Sequence, residues 1–435
     1  MKPNKVKQLL LKSIREIAHK REFLLNPDSN FTRNRKLPLS TVLKFTLSMG
    51  GGTLDRELLD FFHFSPEIAT SSAYVQQRAK VSHAAFAQLF RLFSQKIDCC
   101  RLYRGFRLLA VDGTNLHIPT NPRDTESFFP GTNGQKPYNL LHLSALYDLL
   151  SHTYRDAVLE KGSGDENGAM IDMLCRSDIP KALLIADRCY ESYNLMAHCQ
   201  EKGWCFLIRV KDVHSCGIAS SLTLPTSECF DVPFTLSITR RQSKQAKRTL
   251  KNLKFLPVTS RFDFLPLAAR KNDPIAFYPL HFRAVRFMIA PDSYETVLTN
   301  LPSQSFPPEE LKRLYAMRWG IETSFRDLKY TLGLLRFHSK KTEFIFQEVF
   351  AALTMYNFAE AITQSVVIRQ AERKYLYQVN FSQAAYICRQ FFRSNISPPS
   401  VETLIARYIA PIRPNRHRPR YLAAKAALSF IYRVA

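Results

Sequence analysis

The chain has 435 residues, of which 46% are hydrophobic, enough for a substantial core and too many for a disordered chain. Its 61 Lys plus Arg outnumber 37 Asp plus Glu, giving a formal charge of +24 that favours a polyanionic partner such as DNA, RNA or an acidic membrane surface. The greasiest stretch, NLLHLSALYDLL, is short and carries His142 and Asp148, so no membrane span is expected. The first residues, MKPNKVKQLLLKSIREIAHKREFLL, are charged throughout and lack an apolar signal core. Nine cysteines, an odd number with no CxxC pair and with Cys99 beside Cys100, read as free thiols, and no Cys/His cluster suggests zinc.

Residues 1–104 read as helical, with apolar positions at helical spacing in VKQLLLKSIREIAHK and STVLKFTLSM. Gly50-Gly51-Gly52 interrupts the second helix, TLDRELLDFF resumes the period, and SSAYVQQRAKV predicts a short helix with Ser72 near its N-cap. Helices with interspersed Arg and Lys suit a DNA-end-binding module or an ordinary helical cap on the core.

From 105 to 210 the pattern becomes α/β. RLLAVDGTNLHI predicts a buried strand whose end holds Asp112. NLLHLSALYDLL and TYRDAVLEK predict two further strands, and GDENGAMIDMLCR a helix with acids in its first turn. ALLIADRCY is a strand ending in Asp187, followed by the helix YNLMAHCQEKG and the strand WCFLIRV. Residues 211–300 break the rhythm: PFTLSI, FYPLHFRAVRFMIA and YETVLTNL predict a β-rich insertion that includes the basic stretch TRRQSKQAKRTLKNLK. Residues 301–345 predict one long helix, with Pro307 and Pro308 tolerable in its first turn and Glu309 and Glu310 at its positive end, running to Gly333. Residues 346–435 read as helical around the basic, proline-rich PIRPNRHRPRY.

Two acids at the ends of neighbouring apolar strands are costly, because desolvation and mutual repulsion oppose their ionisation. A divalent cation removes that cost, and hard carboxylate oxygens suit Mg²⁺. Tyr315, Arg318, Glu322 and Lys329 fall within about a 60° arc of the long helix, at about 100° per residue. Trp319, Ile321, Phe325 and Leu328 offer an apolar side that would pin the helix to a core, whereas Arg326 and Asp327 read as a solvated pair.

The spacing Y-x2-R-x3-E-x6-K in YAMRWGIETSFRDLK resembles the signature helix of the DDE transposases of the insertion sequence 4 family. VDGT around Asp112, IADRCY around Asp187 and LTNLP before the helix agree with it, and the resemblance covers about residues 105–340. It implies an RNase H-like mixed-sheet catalytic core with a β-rich insertion, flanked by helical regions. It further implies Asp112, Asp187 and Glu322 as ligands of two Mg²⁺ ions, replaceable by Mn²⁺, that cleave and transfer DNA strands. Tyr315, Arg318 and Lys329 would hold phosphates near the element end. The implied partners are element-end and target DNA and a second copy in a paired-end complex, in a bacterial cytoplasm near the nucleoid. Alternative readings are a metal nuclease of the same fold without strand transfer, and an inactive DNA-binding derivative.

This chain departs from the family in having Cys189 where Gly is common, a change at the turn that does not make Cys189 a nucleophile. Some relatives stack a base on an insertion Trp, but Trp204 and Trp319 lie outside the insertion, which leaves Tyr278, Phe282 or Tyr294 for that task. His117, near Asp112, reads as structural. The basic stretches read as DNA-backbone tracks or as solvated loops and linkers.

Overall fold

The computed structural model describes every residue except 34, 132–133, 135, 242–251, 268–274, 369, 371–374 and 413–435. The chain opens with five helices: α1 (Pro3–Ala18), α2 (Leu39–Ser48), α3 (Leu54–Phe61), α4 (Ser71–Arg78) and α5 (His83–Lys96). Helix α4 is capped by Thr70, whose hydroxyl accepts from the Ala73 N–H at 3.2 Å, one residue before the helix begins rather than at Ser72.

A mixed sheet follows. Strands β1 (Arg107–Ile118), β2 (Phe128–Phe129), β3 (Tyr138–Asp148) and β4 (Thr153–Lys161) are antiparallel neighbours. Helix α6 (Glu166–Arg176) is capped by Asp165 and leads to β5 (Ala182–Ala186). Helix α7 (Tyr193–Lys202) ends at Gly203, which takes the left-handed conformation at φ 73°, and leads to β6 (Cys205–Val210). Strand β5 runs parallel to both β1 and β6. The order β4-β3-β1-β5-β6, three antiparallel strands followed by two parallel ones, is the RNase H-like core anticipated from the motifs.

Segment 211–300 supplies β7 (Phe230–Thr239), β8 (Leu253–Phe255), β9 (Tyr278–Ala290) and β10 (Ser293–Thr299). These strands do not form a sheet of their own. Strand β10 pairs with the core edge at β6, β9 with β10 and β7 with β9, so the whole becomes a 10-stranded sheet.

The long helix of the sequence is two helices, α8 (Pro308–Met317) and α9 (Trp319–Tyr330). Around Arg318 the bonding tightens to a three-residue step: the Arg318 N–H donates to the Tyr315 carbonyl and the Ile321 N–H to the Arg318 carbonyl. Arg318 itself keeps helical dihedrals, so the side-chain periodicity passes through the junction unbroken. Helices α10 (Thr342–Thr363), α11 (Phe381–Phe392) and α12 (Ser400–Arg407) follow, and the region expected to be helical also holds a two-stranded antiparallel sheet of β11 (Tyr377–Val379) and β12 (Ile409–Pro411), which brackets α11 and α12. Among the described residues no helix is long and apolar enough to cross a membrane.

Strand alternation divides the core in two. Leu108 and Ala110 of β1, with Leu183 and Ile185 of β5, join a cluster that contains the N-terminal helices, α9, α10 and α11. Leu109 and Val111, with Leu184 and Ala186, join the cluster of α6, α7 and the 211–300 strands. The terminal helical regions therefore share one apolar layer. A buried ion pair ties them: Arg78 of α4, 2% exposed, lies 3.1 Å from Glu348 of α10 and donates to Gln347 at 2.6 Å.

Candidate active site at the carboxyl end of the central strands

Asp112 is not at the end of its strand, because β1 continues to Ile118 beside β3. The parallel pairing of β1 with β5 stops at Ala110 and Ile185, however, and β5 itself ends at Ala186. Continuing that register by two residues sets Asp112 level with Asp187. Both follow the alternation of Leu108, Ala110, Leu183 and Ile185, and so belong to the sheet face on which α9 packs. The Asp187 carboxylate accepts from the Cys189 N–H at 2.7 Å and opens the tight turn that follows β5.

Glu322 arrives on α9. Ile321, Phe325 and Leu328 bury that helix against the sheet, the Ser324 hydroxyl bonds Tyr154 of β4 at 2.6 Å, and Gly320 lets the helix approach Leu149 and Tyr147 closely. Arg318 then joins the pieces. Its Nη2 lies 2.7 Å from Glu322 Oε1 and its Nη1 3.5 Å from Asp112 Oδ2, with the side chain itself buried.

Burial pushes the Asp112 carboxyl up to about 6, and the charges of Asp187 and Glu322 push the same way against Arg318 and the Gly113 N–H. Three acids from separated parts of the chain thus share one electrostatic site. They are not drawn in as a closed cage: among the described residues no three His, Cys, Asp or Glu side chains stand at metal-ligating distance, and the Arg318 guanidinium lies between Asp112 and Glu322. The donor set still fits a hard divalent ion, since it is all carboxylate and Asp112 carries the excess of negative field that such an ion relieves.

The other three signature residues diverge in exposure. Tyr315 is 5% exposed, its ring 5.8 Å from the Arg318 guanidinium carbon and its hydroxyl near Arg209, so it supports Arg318 from within the protein. Lys329 is half-buried beside His117, and burial followed by the Lys329 charge holds the His117 imidazole below its ordinary range. His117 packs against Tyr138, consistent with a structural side chain. Burial, then Asp187, raises the Cys189 thiol, the wrong direction for a nucleophile.

Sequence reasoning missed the layer behind Asp112. Glu166, in the first turn of α6, lies 3.2 Å from His142 Nε2, whose Nδ1 is 2.8 Å from Asn115 Oδ1. Gly113 fits between them, because a Cβ there would collide with both Glu166 and His142. The acidic first turn of α6 and a histidine in an apolar strand were the available signals. Trp319, grouped with the core-facing side, is instead 52% exposed, and Asp327, grouped with solvent, is half-buried with its carboxyl raised by that burial.

Beyond Asp187 a groove of about 930 Å³ runs toward the 211–300 strands, bordered by Arg188, Lys211, Lys254, Tyr193 and Phe255. Lys254 lies 5.4 Å from the Tyr193 ring centroid and donates to Ser221 at 3.0 Å. Of the proposed stacking aromatics, Tyr278 and Phe282 are buried in the sheet, and Tyr294 bonds Glu228 beneath Arg286. Most of TRRQSKQAKRTLKNLK and all of RPNRHRPR lie outside the described residues.

The strand order and the site together define an RNase H-like core bearing two aspartates and one glutamate. The family profile described as "Transposase DDE domain" matches residues 103–358, and the chain belongs to that family of DDE transposases. It is similar to the transposase InsG for insertion sequence element IS4 of Escherichia coli (strain K12), at 23% identity over 331 residues, 72% of this chain. The chain spans 65% of that relative's length. Among solved structures it is similar to the piggyBac transposase synaptic complex with hairpin DNA, at 10% identity and a TM-score of 0.42, covering 94% of this chain and 77% of that one.

Proposed function

We propose that this chain binds the ends of an insertion element and cuts and rejoins DNA by phosphoryl transfer at Asp112, Asp187 and Glu322. The observation that carries this reading is the junction at Arg318, which touches acids from a central strand and from the signature helix while Asp187 acts on the first of them. Two Mg²⁺ ions, replaceable by Mn²⁺, would activate a water or a DNA 3′-hydroxyl and stabilise the leaving oxygen. Asp112, Asp187 and Glu322 would hold them. Arg318 offsets the carboxylates and is placed to take a phosphate oxygen, with Tyr315 holding its orientation. Lys329, two turns and about 10 Å along the axis from Glu322, reaches a neighbouring phosphate. Arg188, Lys211 and Lys254 give the strand a cationic path beyond Asp187.

A second copy of the chain would bring the two element ends together, in a cytoplasmic, nucleoid-associated complex. The test is incubation of the protein with DNA from both flanks of its gene and a target plasmid, in Mg²⁺. Joined products support transposition. Cuts without joining assign a nuclease of the same fold, and binding without cuts an inactive derivative.

A further inference from the structure

The carboxylates stand at one end of the central strands, and cations collect at the other. Five residues separate Arg107 from Asp112 on β1 and Ala182 from Asp187 beyond β5, about 17 Å at about 3.3 Å per residue of strand. At this amino end the acids are engaged inside the fold. Asp98 and Asp148 both pair with the buried Arg107, Asp98 also lies 3.4 Å from Arg155, and Asp156 takes the Nε groups of Arg91 and Arg176. The cations nearer the surface rest on carbonyls and a ring instead of acids. Exposed Arg101 donates to the Leu150 carbonyl at 3.2 Å, half-buried Lys202 to the Ser177 carbonyl at 2.8 Å, and exposed Lys181 lies 4.3 Å from the Phe106 ring centroid. Beside them a pocket of about 270 Å³ is bordered by Arg91, Arg155, Arg176 and the loop Ser177, Asp178, Ile179 that leads to Lys181. Asp178 offsets part of its charge, but Arg91 and Arg176 use only Nε on Asp156, which leaves their Nη groups for another acceptor.

A cation held by a carbonyl is ordered without being neutralised, so it gains from an incoming anion at little cost in order. Spread along one pole, such cations fit a phosphate backbone. Phe106 is 9% exposed beneath Lys181 and gives bases no face, and contacts to phosphate alone carry no sequence information. A protein partner would draw its affinity from a cluster of apolar anchors, whereas this pole offers the exposed Leu102 amid charges. A duplex seated at the carboxylates cannot turn around the sheet to reach the pole, because DNA is stiff over about 150 base pairs.

We propose that the amino end of the central strands is a second docking surface, which holds duplex DNA of any sequence separate from the duplex at the carboxylates. The proposal rests on the DNA-processing reading above. Such a surface keeps the protein on DNA while its catalytic face is occupied.

The protein is saturated with a short unlabelled duplex from the flank of its gene, then titrated with a labelled duplex of unrelated sequence at several salt concentrations, read by anisotropy without divalent metal. The second duplex should bind with an affinity that falls steeply with salt. Arg101→Gln combined with Lys181→Gln should weaken it on the order of tenfold and lower the salt slope by about 2, with affinity for the flank duplex and its cutting in Mg²⁺ unchanged. If that variant does not fold, amide hydrogen exchange of the wild-type protein decides: the second duplex should slow exchange around Arg101 and Lys181. An unchanged second affinity in the folded variant, or no slowing at these positions, overturns the surface and leaves the DNA-processing reading intact. Displacement of the second duplex by poly-glutamate as effectively as by unlabelled duplex overturns it in favour of an acidic polypeptide. Failure of both duplexes to bind overturns both readings.

Discussion

Replacing Asp112 by Asn keeps the shape of the side chain and removes its charge. Burial, with Asp187 and Glu322 in support, lifts this carboxyl from 3.8 to about 6, so the folded chain holds the proton more tightly than the unfolded one. An acid raised in this way favours the folded state below about pH 4, and the contribution is lost as pH rises through about 6. At about 1.4 kcal/mol per pH unit, ionised Asp112 therefore costs up to about 3 kcal/mol at neutral pH without metal. Asp112→Asn should raise the melting temperature in EDTA at neutral pH, and the advantage should shrink toward zero near pH 4. Wild-type protein should gain stability on adding Mg²⁺, about 2.7 kcal/mol at a hundredfold excess over Kd, and the variant should not. Cleavage of DNA should be lost. Thermal melts from pH 4 to 8, with EDTA or Mg²⁺, read all of this. A variant less stable than wild type in EDTA at neutral pH, or a difference independent of pH, would refute the electrostatic reasoning.

Three further outcomes follow from single contacts. Gly113→Ala forces a methyl group into Glu166 and His142, so cleavage should fall by at least tenfold with little change in DNA affinity, as measured by single-turnover cutting and anisotropy. Glu348→Gln strands the buried Arg78 charge and should cost about 3–5 kcal/mol in urea melts, with Arg78→Met adding much less in the double variant than alone. Lys329→Ala should weaken DNA binding across sequences and lower the salt slope by about 1, read from affinities at several salt concentrations.

Much of this site was legible in the sequence because it depends on local patterns. IADRCY follows a short apolar strand whose end can be read from composition, whereas the strand that carries VDGT runs on past Asp112 to Ile118, and the Tyr315, Arg318, Glu322 spacing survives the α8–α9 junction because Arg318 stays in helical dihedrals. What stayed hidden depends on pairing and close approach. Periodicity treats α8 and α9 as one helix because a one-residue change in bonding leaves no compositional mark. It placed Trp319 with Ile321 and Phe325, but Gly320 is the residue that meets Tyr147 and Leu149, and this leaves the indole outside. The partners of β10 could not be read either, since its alternating pattern fits a separate sheet as well as the edge of β6. Nor could the tuck of Glu166 and His142 against Gly113, which joins three elements distant in sequence.

If the three carboxylates work as one metal-dependent, DNA-cutting site, metal binding and cutting must fail together. Mn²⁺ binding followed by electron paramagnetic resonance, beside cleavage of gene-flank DNA, tests it on wild type, Asp112→Asn, Asp187→Asn and Glu322→Gln. Each substitution should lower Mn²⁺ occupancy and abolish cutting together, in protein that still binds DNA. Cutting that survives any one of the three, or unchanged Mn²⁺ binding in all of them, would contradict it.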